Sequence, residues 1–151
     1  MSSPTTAGEP SGCTTSQLDI SLGQGSGAAG TIATPIVFRN RSAARCVLTG
    51  YPGVAGLDAS GHQLAEAART PRGMVDGLPP GNDTPPVVTL NPGATASATV
   101  ESSDVNTGTQ TSCPTYAALL VTPPNETHSV QLPVNLMVCS RFQVHPVQPG
   151  A

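Results

Sequence analysis

Val130-Gln131-Leu132-Pro133-Val134-Asn135-Leu136-Met137-Val138 decides the fold class, because nearly every second residue is apolar. A strand sends successive side chains to opposite faces, so this period of two predicts a half-buried strand. The same signal recurs along the chain. Leu18, Ile20 and Leu22 alternate with Asp19 and Ser21, while Ile32, Ile36 and Phe38 share one parity before Arg39 and Asn40. Ala94, Ala96, Ala98 and Val100 alternate with Thr95, Ser97, Thr99 and Glu101, giving one apolar and one polar side. Residues 116–122 form a continuous apolar run suited to a central strand, and Phe142 and Val144 begin a short last strand.

Turn chemistry separates these runs. Tyr51-Pro52-Gly53, Asp58-Ala59-Ser60-Gly61, Asn91-Pro92-Gly93 and Pro123-Pro124-Asn125 all carry turn residues. Short strands punctuated this regularly predict an all-β, Ig-like antiparallel sandwich in which two sheets bury their apolar faces against each other. Sixteen Pro and sixteen Gly disfavour long helices. Only residues 62–69 (HQLAEAAR) have local helix propensity, and the DASG turn before them makes a hairpin strand an equal reading. Residues 70–86 (TPRGMVDGLPPGNDTPP) read as one long Pro/Gly loop, of a length that is usually functional or disordered.

Composition narrows the function classes. The 151 residues suit one domain, but only 3% are aromatic and none is Trp, so burial must rest on Val, Leu, Ile and Ala. Charged residues are 10% and the formal net charge is -3. Six scattered Arg and no Lys make no basic stripe, which sets nucleic acid and anionic lipid surfaces aside as partners. The Arg-only basic set and the abundance of Ala, Gly and Pro match GC-rich codons, and hence a GC-rich bacterial genome. No apolar run is long enough to span a membrane. Residues 1–12 (MSSPTTAGEPSG) contain no large apolar side chain and read as a flexible tether, with a sandwich domain over 13–148.

Cys13, Cys46, Cys113 and Cys139 form no CxxC pair, so zinc ribbons and thioredoxin-type motifs lack support. An even number at wide spacing predicts two disulfides and an oxidising compartment. Cys13 precedes the strand starting near Leu18, and Cys46 follows the one ending near Asn40. If those strands pair antiparallel, the two cysteines meet. The same logic joins Cys113, before the 116–122 strand, to Cys139, after the 130–138 strand. The expected pairs are Cys13–Cys46 and Cys113–Cys139.

Several landmarks together resemble a known family: Cys13 with Leu18, Phe38-Arg39-Asn40, Cys46-Val47-Leu48-Thr49-Gly50-Tyr51-Pro52-Gly53-Val54, Leu90-Asn91-Pro92-Gly93, Cys113-Pro114, Pro123-Pro124, and Leu132-Pro133-Val134 leading to Val138-Cys139. Over roughly residues 13–147 the chain resembles the actinobacterial secreted-protein and lipoprotein family catalogued as domain of unknown function 4232. The resemblance implies a cell-envelope domain behind a signal peptide or lipid anchor. It carries no catalytic residue over.

Candidate chemistry is thin. Gly25-Ser26-Gly27-Ala28-Ala29-Gly30 matches GxGxxG, but the β-branched, Pro-containing stretch after it reads as strand, where a phosphate site needs a helix N-terminus. No GxSxG elbow exists, and His62, His128 and His145, in or beside turns, read as solvated surface residues. Glu126 and His128, with Met74 and Met137, are too few convergent donors for a metal site. Three Asn-x-Ser/Thr sequons, starting at Asn40, Asn82 and Asn125, carry no weight in a bacterial chain. Arg69, Arg72, Met74 and Asp76 crowd the entry to the long loop and form the candidate interaction surface, since binding residues favour loops on rigid scaffolds. The expectation is a non-enzymatic envelope module, without cofactor or metal, that meets an envelope protein or wall component. A periplasmic carrier of a small ligand or metal is the alternative.

Overall fold

The computed structural model describes residues 11–106 and 112–150. A 3-10 turn at Thr15–Gln17 leads into thirteen short strands. They are β1 (Leu18–Leu22), β2 (Ser26–Ala28), β3 (Thr31–Asn40), β4 (Cys46–Thr49), β5 (Gly53–Leu57), β6 (Gln63–Glu66), β7 (Ala68–Arg69), β8 (Val87–Leu90), β9 (Thr95–Ser103), β10 (Thr115–Thr122), β11 (Val130–Met137), β12 (Arg141–Val144) and β13 (Gln148–Pro149). The large sheet runs β1-β3-β9-β12-β7, with β2 also on β3 and β13 also on β9. The second sheet runs β11-β10-β5-β6, and β4 pairs with β8 in a small third one. Among the described residues the strands pair antiparallel except β12 with β7, and Gly12 makes a parallel bridge to Val47.

One core joins the sheets. Ile36, Phe38, Ala96, Ala98, Val100 and Val144 from the large sheet meet Val54, Leu119, Val121 and Leu136 from the second, with Leu48 and Leu90 closing one side. Tyr116 and the partly buried Phe142 pack edge to face with centroids 5.1 Å apart. Gly56 makes room for Tyr116, since a Cβ there would lie 2.3 Å from its ring. In a core with so few aromatics, this contact supplies area that aliphatics cannot.

Both disulfides are as expected. Cys13–Cys46 and Cys113–Cys139 have Cα separations of 4.9 and 4.8 Å. The strand pairings behind the expectation are also present. Leu18 lies opposite Asn40, and Thr115 opposite Met137. The first bridge is buried, whereas the cysteines of the second are partly exposed. Residues 62–69 are strand, not helix: they give β6 and β7.

Residues 1–10 of the expected tether lie outside the described residues. Ser11 and Gly12 are already part of the fold, because Val47 N–H donates to the Ser11 carbonyl at 3.0 Å and Cys13 N–H to the Val47 carbonyl at 2.8 Å.

The polar side of β9 is covered over the second half of the strand. Thr99, Glu101 and Ser103 are all buried there, and the cross-strand neighbours Thr31 and Ala33 are buried with them. Burial in β3 accordingly changes face along the strand, from Thr31 and Ala33 to Ile36 and Phe38. The cover is the long loop.

Candidate functional site

Residues 70–86 contain no strand and lie across the outer face of the large sheet, and a single carboxylate organises them. Glu101 projects from β9 and has no exposed surface. Its Oε1 accepts the Met74 N–H at 2.9 Å, and its Oε2 accepts those of Val75 at 3.1 Å and Asp76 at 2.8 Å. Three successive main-chain donors thus converge on one charge, a concave arrangement suited to holding an anion. Gly73 permits the approach, because a Cβ there would lie 2.5 Å from Glu101 Oε2.

A fourth donor comes from His145, which follows β12 and is also fully buried. Its Nε2 lies 2.8 Å from Glu101 Oε2. A carboxylate can only accept, so this nitrogen carries a proton. Nδ1 lies 3.1 Å from both the hydroxyl and the carbonyl of Thr70. The hydroxyl can donate to a neutral ring and the carbonyl can accept from a charged one, so either state is satisfied. Burial alone would raise the Glu101 carboxyl, but the hydrogen bonds from Asp76, His145, Val75 and Met74 outweigh it and hold the group below the usual glutamate value. The reading of His145 as a solvated surface residue is therefore corrected. Its neighbours, Gln143 and Val144, sit in β12 beside β9, and that pairing carries the ring under the loop.

Hydroxyl, imidazole and carboxylate stand in line here, as in a hydrolase triad. The imidazole and carboxylate have no exposed surface, and the carboxylate is saturated by main-chain donors. Thr70, which supplies the hydroxyl, is partly exposed.

The four loop-entry residues singled out in the sequence divide by direction. Arg72 turns inward: its guanidinium donates to the carbonyls of Leu78 at 3.1 Å, Pro79 at 3.3 Å and Asn82 at 3.1 Å, and pairs with Asp83. Asp76 also turns inward, accepting the Thr99 hydroxyl at 2.5 Å and the Gly77 N–H at 2.8 Å. Met74 is 71% exposed, with Val75 beside it at 48%, while the Met74 sulfur lies 3.8 Å from the Thr31 hydroxyl on β3. Arg69 stands apart, at the rim of a polar recess of about 340 Å³ shared with Tyr51, Glu66 and Asn125. Sequence reasoning missed Glu101, Thr70 and His145 as the anchor of this loop. A glutamate ending a small-residue strand, Ala94 to Val100, was the available signal, but alternation alone assigns it to solvent.

A second concavity of about 880 Å³ opens between the 3-10 turn with β1 and the start of β11. Leu18, Ile20 and Val130 line it, with Asp19, Arg41, Glu126 and His128 among its polar residues. Glu126 Oε1 already accepts the Thr15 N–H at 2.8 Å and lies 3.1 Å from its hydroxyl. Among the described residues no three or more His, Cys, Asp or Glu side chains converge as metal ligands would. Among the described residues no helix is long and apolar enough to cross a membrane.

No curated protein and no solved structure matches the chain. A family model does, over residues 13–148, described as a domain of unknown function, DUF4232. The match takes in both disulfides, the anchored loop and Glu101 with His145, and the chain belongs to the DUF4232 family.

Proposed function

We propose that this domain is a non-catalytic recognition module of the cell envelope, and that its contact surface is the tip of the 70–86 loop. The two disulfides are compatible with an extracellular or envelope protein. One observation carries the reading. A fully buried carboxylate holds the Met74, Val75 and Asp76 main chain, and the two apolar side chains there remain 71% and 48% exposed. Burying a charge is expensive unless it is fully hydrogen-bonded. The Met74 sulfur rests on the Thr31 hydroxyl, and most of its apolar surface, with that of Val75, is left free for a partner. A pre-organised apolar tip loses little conformational entropy on binding, which favours affinity for a partner with an apolar pocket. The partner expected is an envelope protein or wall component of the producing cell.

A photo-crosslinking amino acid at position 74, introduced into the native cell, tests this. The expected result is one dominant adduct that disappears in the Glu101→Gln background, where the loop is unhooked. Labelling no stronger than from a probe at Ser60, on an exposed turn between β5 and β6, overturns the proposal. The amphipathic groove beside β1 favours a second reading, a carrier of a small amphipathic ligand. Calorimetric titration with such ligands that responds to Arg41→Ala, with no adduct at position 74, would select it.

A further inference from the structure

Sheet edges carry unpaired main-chain groups, and most edges of this molecule are blunted against pairing. β11 contains Pro133, and its register slips against β10 between Tyr116 and Ala118. β6 is four residues with the exposed Glu66, and its register also shifts. β7 and β13 are two residues each. β8 is bracketed by Pro86 and Pro92, and β4 is covered on its other side by Ser11 and Cys13. These are the devices that keep an edge from recruiting another chain. β1, Leu18-Asp19-Ile20-Ser21-Leu22, has no Pro and no register shift among the described residues, and its one charge, Asp19, is paired with Arg39 and Arg41 of its own chain.

The direction of its main chain follows from its flanks. Arg41 N–H donates to the Gln17 carbonyl at 2.9 Å, and Gly23 N–H to the Pro35 carbonyl at 2.8 Å. Antiparallel pairs alternate between bonded and non-bonded, so Asp19 and Ser21 turn their groups toward β3, and Leu18, Ile20 and Leu22 turn theirs outward. The Leu18 N–H is taken by the Thr15 carbonyl. The outward set is then the Ile20 and Leu22 N–H groups and the Leu18, Ile20 and Leu22 carbonyls.

We propose that β1 pairs antiparallel with β1 of a second copy of this chain, about a two-fold axis through Ile20. The segment is symmetric about that residue: Leu18 and Leu22 are equivalent, and Asp19 and Ser21 exchange places. A two-fold contact requires this self-complementarity. Ile20 bonds reciprocally with the second copy's Ile20, and Leu22 N–H donates to the second copy's Leu18 carbonyl. Left over at each end are the Leu18 N–H, which the Thr15 carbonyl already takes, and the Leu22 carbonyl that would have faced it. On the exposed face each Asp19 meets a Ser21 hydroxyl rather than another carboxylate, so no like charges oppose. On the inner face the second copy's Leu18, Ile20 and Leu22 extend the apolar wall of the groove, where Ile20, Leu22, Val130 and Leu132 are only partly buried. The axis stands across the sheet, so both 70–86 loops lie on the same side of one continuous double sheet. Two weak loop contacts then act together on a repetitive surface. The pairing stands independently of what the loop binds.

Ser21 is exposed, so its substitutions read the interface with little effect on the monomer. Sedimentation equilibrium from about 10 µM to about 1 mM should show a monomer–dimer equilibrium for the whole chain. Ser21→Asp places two carboxylate pairs across the axis and should weaken the dimer about tenfold, while Ser21→Lys, opposite Asp19, should tighten it about fivefold. Ile20→Pro removes the central donor and should abolish association. The dimer is refuted by a wild-type chain that stays monomeric throughout, including one that instead binds an added extended apolar peptide. Equal association of the Asp, Lys and wild-type chains refutes it too, as does association lost with Met74→Ala.

Discussion

The two faces of β9 are stabilised in different ways. Ala96, Ala98 and Val100 turn inward to a core where the gain is apolar area, which has no direction and tolerates many shapes. Thr99 and Glu101 turn outward to a cover built of directed hydrogen bonds, each with a named donor. The inner face therefore depends on volume, and the outer face on charge state. The sandwich needs the first to fold; the second fixes a loop.

The largest expected effects separate the faces by pH. Phe38 is fully buried, and Phe38→Ala should lower the unfolding free energy by about 3–5 kcal/mol through the lost area and the cavity. Glu101→Gln should cost about 3–5 kcal/mol at neutral pH, because His145 and three main-chain donors lose their charged partner. The Glu101 carboxyl is depressed in the folded state. Its contribution is therefore present above the unfolded value of about 4.3, and it fades as pH falls through the depressed folded one. Urea unfolding at pH 7 and pH 3 checks this: the Phe38→Ala deficit should persist and the Glu101→Gln deficit should shrink toward zero. Equal deficits at both pH values would break the contrast.

A smaller effect is expected at Arg72. Its pairing with the largely exposed Asp83 contributes little, whereas its bonds to the carbonyls of Leu78, Pro79 and Asn82 are structural. Arg72→Ala should cost about 1–2 kcal/mol, and amide exchange should rise across residues 78–83 while the core strands keep their protection. The smallest effect belongs to Met74→Ala, which should change stability by about 0.5 kcal/mol or less and yet remove partner binding. A large loss of stability there would show that the tip belongs to the cover and not to a contact surface.

The inner face was legible in the sequence, because area burial writes itself as alternation: 96, 98 and 100 in β9, and 130 to 138 in β11. The disulfide pairing followed from the same strands, since cysteines flanking antiparallel neighbours must meet. The outer face left no such trace. Glu101 satisfies alternation equally well whether water or a loop covers it, and the main-chain donors it binds are common to every sequence. His145 looked solvated for the same reason: its partner is 44 positions away, and no local pattern encodes a contact across two strands. Arg72 and Asp76 were visible as loop residues, but their inward direction depends on the anchor. The short strands β4, β5, β8 and β13 carried too few alternating residues to be read.

The Cys13–Cys46 bridge has a mechanical consequence. Tension applied to the chain from its N-terminal side enters the fold at Ser11–Cys13 and crosses through sulfur into β4, leaving β1 and β3 out of the line of force. With 33 positions between the cysteines, about 110 Å of backbone is withheld from extension. A domain pulled from that end would yield first where β4 meets β8, while the edge strand and the sheet beneath the loop remain unstretched.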